Sequence, residues 1–441
     1  MPMVAVLAAG SVHETEAVLF HTLFQLILII LAARVAGKLA GRLGQPQVVG
    51  EIIAGIALGP SLLGSLCPAF SQFAFNSITP LALNILSQIG LVLLMFQIGL
   101  EFDFSHLNEP RNRKAVILIS TAGILCPFAL GWELGGVSAS TLSPDANRTA
   151  YQLFFAVALS ITAVPILGRI MMEYRLHRTR IGAITITCAG LNDVAGWILL
   201  AVVSAFATSG FEPRPFLIRL GLLAAYIVFC WFAVRPFLGW LLRLWKIKGE
   251  SIPHDLLAVV LSIVLASAMV TYRLGIFAIT GGFIMGVLMH QHHDFVGAWR
   301  RNISDFVIVF FLPIFFTQTG LRTNIHGLDS TPLWGWFALV MFCATLGKFG
   351  GAWIASRMSG MSNDEACAVG IMMNTRALME LVVLNIGFEL GILPQAVFTM
   401  LVLMAVLSTV VTGPALKIWL RRMGHSYAKE KSPSSCTADL N

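Results

Sequence analysis

Two ionisable residues stand where an apolar chain should exclude charge. Asp193, in Ala189-Gly190-Leu191-Asn192-Asp193-Val194-Ala195-Gly196-Trp197, lies near the centre of one long apolar segment. Lys348, in Leu346-Gly347-Lys348-Phe349-Gly350-Gly351, lies near the centre of another. Each costs about 2.5 to 3.5 kcal/mol at the middle of a membrane helix, even on the lenient insertion scale. Residues kept at that cost mark ion and proton paths, although a buried acid and base also offset each other as a purely structural pair. Desolvation disfavours the ionised carboxyl of Asp193 while the charge of Lys348 favours it, which leaves that carboxyl poised to titrate. Such a carboxyl holds either a proton or an alkali cation, sodium or potassium, and is formally neutral with either. Competition for one site is sufficient for exchange.

Oxygen ligands and close approaches surround this acid in the sequence. Asn192 supplies a neutral carbonyl oxygen, and Gly190 and Gly196 let neighbouring backbone come near. In Ser160-Ile161-Thr162-Ala163-Val164-Pro165 the proline lacks an N–H and clashes with the carbonyl of Ile161, so the helix is interrupted beside the Ser160 and Thr162 hydroxyls. An ordinary proline kink satisfied by Ser and Thr is the other reading of that stretch. In Asn374-Thr375-Arg376-Ala377-Leu378-Met379-Glu380, Arg376 and Glu380 stand four apart on one helix face and are expected to form a self-contained ion pair stabilising a second broken helix. Glu51 and Glu101 fall near segment ends and are expected to snorkel. The run His290-Gln291-His292-His293-Asp294 is read as a solvated loop rather than a pH sensor or metal site.

The elements that must position these groups are membrane helices. Of 441 residues, 57% are hydrophobic and 12% charged, about half the charge of a soluble domain. With about twenty apolar residues per span, about thirteen segments emerge, beginning near residues 18, 47, 79, 114, 151, 181, 216, 255, 274, 304, 332, 364 and 394. Lys and Arg collect in alternate loops: Arg34, Lys38 and Arg42; Arg111, Arg113 and Lys114; Arg175, Arg178 and Arg180; Arg243, Lys246 and Lys248; Arg300 and Arg301; and Lys417, Arg421 and Arg422 in the tail. The intervening loops are nearly devoid of positive charge. That pattern puts the N-terminus outside and the C-terminus in the cytoplasm and requires an odd number of spans; it suits a eukaryotic membrane as well as the bacterial inner or plasma membrane expected here. The first seventeen residues read as a short lead-in to the first span, without the basic start and apolar core of a signal peptide. Trp240, Trp245, Trp299, Trp334 and Trp336 fall near segment ends, as interfacial anchors do.

The formal charge of +7 is thus spent on membrane orientation, and no nucleic-acid partner is expected. Cys126, Cys188, Cys230 and Cys343 are scattered without metal-type spacing and read as buried thiols. No nucleophile, base and orienting acid share a depth, and no glycine-rich loop cradles a phosphate, so neither an enzyme nor a cofactor is expected, nor a metal other than a transported cation.

The chain also repeats weakly. Phe96-Gln97-Ile98-Gly99-Leu100-Glu101 resembles Thr317-Gln318-Thr319-Gly320-Leu321-Arg322, and Gly55-Ile56-Ala57-Leu58-Gly59 resembles Gly282-Phe283-Ile284-Met285-Gly286. Both pairs relate spans seven apart, so the halves run in opposite directions through the membrane. Such inverted repeats characterise secondary transporters, whose site lies at broken helices near the midplane.

Seven stretches in fixed order carry a family resemblance: Gln45-Pro46-Gln47-Val48-Val49-Gly50-Glu51 with Gly59-Pro60-Ser61; Gly99-Leu100-Glu101; Ser160-Ile161-Thr162-Ala163 with Pro165; Asn192-Asp193-Val194-Ala195; Gly320-Leu321-Arg322-Thr323-Asn324; Gly347-Lys348; and Asn374-Thr375-Arg376 with Glu380-Leu381. Through them the chain resembles the monovalent cation:proton antiporter-2 family, within it the plant and fungal cation/proton exchangers and bacterial Kef-type proteins. The resemblance implies an all-α, homodimeric elevator fold with crossed, broken fifth and twelfth helices. It implies a core of about 114–207 and 332–417, a dimerisation scaffold of about 18–100 and 255–322, a linker helix of about 216–242, and a short polar tail from 421. It implies Asp193 as carrier, Thr162 and Asn192 near the ion, and Lys348 stabilising the crossing. An Asn-Asp pair at 192–193 accompanies electroneutral exchange in that family. Two departures stand out: the tail has no room for the nucleotide-binding domain many Kef-type members carry, and Ala377 replaces a common glycine. A channel-like potassium efflux protein and a non-transporting membrane sensor are the competing readings.

Overall fold

In hydrocarbon every backbone N–H and C=O must find its partner inside the protein, and runs of apolar residues meet that demand as helices. The structure, a computed structural model, describes residues 2–45, 47–75, 80–100, 113–162, 164–174, 176, 179–208, 213–245, 251–274, 277–376 and 378–423. Among them no strand occurs. In chain order the helices are α1 (Pro2–Arg42), α2 (Gln47–Leu58), α3 (Pro80–Leu100) and α4 (Arg113–Leu142). Next come the split α5 (α5a, Arg148–Ser160, and α5b, Val164–Glu173), α6 (Arg180–Thr208) and α7, which runs from Pro213–Phe229 through a π-turn into Arg235–Leu244. Then follow α8 (His254–Arg273), α9 (Ala278–Met289) and α10, which begins at His293–Trp299 and ends as Leu312–Arg322. Last are α11 (Thr331–Thr345 and Gly351–Met358 around a π-turn), the split α12 (α12a, Asn363–Met373, and α12b, Leu378–Glu389) and α13 (Gln395–Arg422).

Every segment expected from the sequence coincides with one of these helices. Among the described residues nine spans are long and apolar enough to cross a membrane, α2 being one when its continuation to Leu66 is included, and the bent α10 brings the number to ten. The others are α5 and α12, each split, and α9, which has 12 residues. The chain is thus an integral, multi-pass membrane protein. Helix α1 begins at Pro2, so the expected lead-in is part of the first helix, as its alanines Ala5, Ala8, Ala9 and Ala17 favour.

The repeat expressed by the glycines is visible in the packing. Helix α2 lies on α10, and α3 lies on α9. A Cβ on Gly59 would stand 2.3 Å from the Gly320 carbonyl oxygen, and one on Gly286 would stand 2.2 Å from that of Phe96 and 2.8 Å from Gly99 Cα. Exchanging α2 with α9 and α3 with α10 converts one contact into the other, the relation that spans seven apart require. Helices α4, α5a, α6, α11, α12 and α13 pack on one another, as do α1, α2, α3 and α10, with α8 on α9 and α9 on α3.

Several surface expectations change. Trp299 is not an anchor at the interface; it is 1% exposed and meets Phe96 edge-on, with centroids 4.9 Å apart, between α10 and α3. Glu51 does not snorkel, because α2 turns it against α1, 3.6 Å from Arg34. Cys188 and Cys230 are buried, Cys343 is half-buried, and Cys126 is exposed. Of the histidine run, Gln291, His293 and Asp294 are exposed as expected, while His292 lies half-buried against Gly239 of α7 and Arg235 donates to Gln291 at 2.6 Å. Glu101, Arg111, Arg175, Arg178, Lys246, Lys248 and Ala377 lie outside the described residues.

Candidate functional site

Two helix interruptions create the site. Helix α5a ends at Ser160, Ile161 adopts extended backbone (φ −77°, ψ 146°), and α5b resumes at Val164. Pro165 is therefore the second residue of a new helix, where its missing N–H leaves no bond unmade; its side chain lies outside the described ones. The break falls upstream of the proline rather than as a kink at it. Helix α12a likewise ends at Met373, and α12b begins at Leu378. The two breaks meet where Thr162 Oγ1 donates to Met373 O at 3.5 Å.

A helix C-terminus carries unpaired carbonyls and a partial negative charge. Lys348 answers that of α5a. Its ammonium donates to Ser160 O, to Gly123 O at 2.8 Å and to Thr162 Oγ1 at 2.7 Å. Those three bonds use all three N–H donors of an ammonium, and Lys348 is fully buried. The residue sits in the π-turn Leu346–Gly350 of α11, a helix distortion common at functional sites. The turn lies tight on α4, since a Cβ on Gly347 would stand 2.7 Å from Pro127 Cα.

Asp193 and Asn192, each 1% exposed, come from the middle of α6, which packs on α4, α5a and α12a. The Asn192 amide nitrogen donates to Ser120 O at 3.0 Å and Cys188 O at 3.2 Å, which turns its carbonyl oxygen toward Gly123. A Cβ there would come within 3.0 Å of the amide and 3.4 Å of Met373 Cε. The charges of Asp193, Arg376 and Glu380 all act on the Lys348 ammonium.

Arg376 and Glu380 pair at 3.6 Å, fully buried. The pair is not self-contained, and Arg376 lies in the break rather than within a helix. Its guanidinium also donates to Ala158 O of α5a (3.3 Å) and Ala344 O of α11 (3.0 Å). Thr409 of α13 accepts the Arg376 N–H at 3.2 Å. Glu380 stands in the first turn of α12b, where an anion is favoured by the helix dipole. Asn374 Oδ1 and Thr375 Oγ1 in the same break, and Ser120 Oγ of α4, are buried oxygens that accept no hydrogen bond, the kind of ligand an alkali cation takes.

The structure thus gathers Thr162, Asn192, Asp193 and Lys348 at one crossing and puts Asn374, Arg376 and Glu380 in and beside its second break. Ser160 contributes its carbonyl, because its hydroxyl donates back to Ala156 O at 2.7 Å. Sequence reasoning missed Ser120, Gly123 and Thr409. Their signal is slight: a Ser and a Gly in the first half of α4, and a Thr in a long apolar helix.

A buried acid, a buried ammonium and two crossed broken helices within an inverted-repeat bundle define an ion-coupled secondary transporter. The chain belongs to the sodium/hydrogen exchanger family: the family model described as "Sodium/hydrogen exchanger, transmembrane" matches residues 26–422. It is 39% identical over 395 residues to the Na(+)/H(+) antiporter NhaS4 of Synechocystis sp., a match spanning 89% of this chain and 95% of that protein. It is 35% identical over 437 residues to cation/H(+) antiporter 17 of Arabidopsis thaliana, across 98% of this chain and 53% of the plant protein. The fold is also that of the sodium proton antiporter MjNhaP1 of Methanocaldococcus jannaschii, with a TM-score of 0.64 at 17% identity over 93% of this chain and the whole of that one.

Proposed function

We infer that the chain is a secondary active antiporter exchanging a monovalent cation, sodium or potassium, for protons, with Asp193 as the shared carrier. The observation that carries this reading is the burial of Asp193 and Lys348 beside the crossing of α5 and α12. The three donors of Lys348 go to Gly123, Ser160 and Thr162, so in this reading the lysine fixes the crossing. Asp193, whose charge acts on that ammonium, is the carboxyl that a proton or a cation occupies in turn, with Asn192 Oδ1 and the Thr162 oxygen supplying further ligands. One carboxyl offers one proton per cation, so exchange is electroneutral.

At 1% exposure Asp193 meets neither side of the membrane, which supports alternating access. In this reading the helices of about 114–207 and 332–417 move as a core against a scaffold of about 18–100 and 255–322, with α7 as the link. The denser packing within each group than between them, where α2 meets α13, supports that division. We further propose a homodimer in a bacterial inner or plasma membrane, N-terminus outside and C-terminus cytoplasmic, as the loop charges indicate. Light scattering of the solubilised protein and labelling of single cysteines at the two loop faces test these two points.

The deciding experiment follows proton movement in proteoliposomes carrying a pH gradient when sodium or potassium is added. The native chain should dissipate the gradient with either or both ions, and Asp193→Asn should not. Cation flux without coupled proton movement would instead favour a channel-like efflux protein, and an active Asp193→Asn would remove the carrier.

A further inference from the structure

Positive charge is scarce on the face that the loop charges assign to the outside, yet three arginines converge there on one cavity. We propose that this cavity, between the start of α7 and the end of α8, binds the phosphate of an anionic membrane phospholipid. It has a volume of about 470 Å³, and the described residues that line it include Arg214, Arg219 and Arg273 and no carboxylate. Guanidinium is the group best matched to phosphate, offering paired N–H donors in a planar fork. Arg214 and Arg273 are exposed and Arg219 is half-buried. At 1.5 Å per residue, Arg219 stands about 9 Å along α7 from its first residue, a depth suited to a headgroup phosphate rather than to bulk solvent.

The surroundings identify the phosphate as a lipid's. Between Arg214 and Arg219 α7 presents Leu217 and Ile218, 63% and 56% exposed, and below them Leu222, 47% exposed, while α8 presents Met269 and Tyr272, 69% and 71% exposed. These ridges flank the cavity and offer acyl chains a surface continuous with the charged pocket. A soluble phosphate has no use for them.

The position gives an occupant leverage. Just beneath the cavity, Ala201 and Ala205 of α6 meet Leu223 of α7 in a small core of their own, with Leu274 packed against it. Tyr226 of α7 donates to Ser267 of α8 at 2.7 Å. A lipid seated above these contacts holds α6, α7 and α8 in register, and under the reading proposed above it would set how freely α6 shifts against α8. Binding itself requires only that the chain lie in a membrane.

The test is native mass spectrometry of the full chain in detergent, titrated with dioleoylphosphatidylglycerol or dioleoylphosphatidylcholine. At about fivefold per arginine near the headgroup, three arginines should make the native chain retain the anionic lipid about a hundredfold better. That preference should largely vanish in Arg219→Gln/Arg273→Gln and persist in Asp193→Asn, which separates this site from the transport reading. As a check that needs no substitution, phosphatidylglycerol should raise the melting temperature of the native chain more than phosphatidylcholine does. Equal retention of the two lipids by the native chain would overturn the proposal, as would an undiminished preference in a double variant that elutes and melts like the native chain. Displacement of the anionic lipid by excess inorganic phosphate would make the ligand a soluble anion and overturn it as well.

Discussion

Lys348→Met tests the account of the crossing most directly. Methionine is unbranched like lysine and one atom shorter, so the packing of α11 on α4 is largely preserved while the ammonium is lost. The loss leaves Gly123 O and Ser160 O, at the end of α5a, without their donor, and Thr162 Oγ1 keeps only its bond to Met373 O. A buried acceptor left unmade costs about 1–3 kcal/mol. Against that, a fully buried ammonium no longer has to be desolvated, which returns part of the sum. Removing one partner from a buried charged cluster costs about 3–5 kcal/mol in net, a shift of about two to three and a half powers of ten in the unfolding equilibrium. Denaturant unfolding in detergent, followed by tryptophan fluorescence, reads that loss. If Lys348→Met unfolds within about 0.5 kcal/mol of the native chain, the change expected of an inconsequential surface substitution, then the lysine does not hold the crossing and its role must be sought in the proton path.

Three further outcomes are expected. Gly320→Ala places a Cβ 2.0 Å from the Gly55 carbonyl oxygen, backbone that cannot step aside; it should destabilise by about 1–3 kcal/mol, whereas Gly221→Ala, with nothing within 4 Å, should be neutral or better in the same melts. Arg322 of α10 bonds Asn385 at 3.0 Å and Glu389 at 2.9 Å on α12b; part-exposed bonds of this kind contribute about 1 kcal/mol, so Arg322→Gln should raise amide exchange in α12b about fivefold, and unchanged exchange would show that this contact latches nothing. Burial, with the charges of Arg235, Arg243, His290 and His293, holds His292 below the ordinary histidine range. Since the unfolded chain then binds the proton more readily than the folded one, stability is complete above the ordinary histidine value and falls as pH drops through the depressed one. Melts at neutral and mildly acid pH should show that loss in the native chain and less of it in His292→Gln.

The sequence was enough to establish that the chain crosses a membrane many times, because uninterrupted apolar runs have no other solution in lipid. It also singled out Asp193 and Lys348, since a charge at the centre of such a run is conspicuous for its cost. The two helix breaks were legible through Pro165 and the Asn374–Arg376 stretch, though not their exact position: the proline sits just after the first break, where its geometry is harmless. The tertiary structure alone decided what those charges hold. Lys348 binds two backbone carbonyls, Arg376 binds two more, and Asn192 is steered by the carbonyls of Ser120 and Cys188. A carbonyl is the same in every residue, so no pattern of side chains announces which one a distant helix will present. The same reason explains Gly123 and Gly320, whose importance is the space they leave and becomes visible only when another helix occupies it.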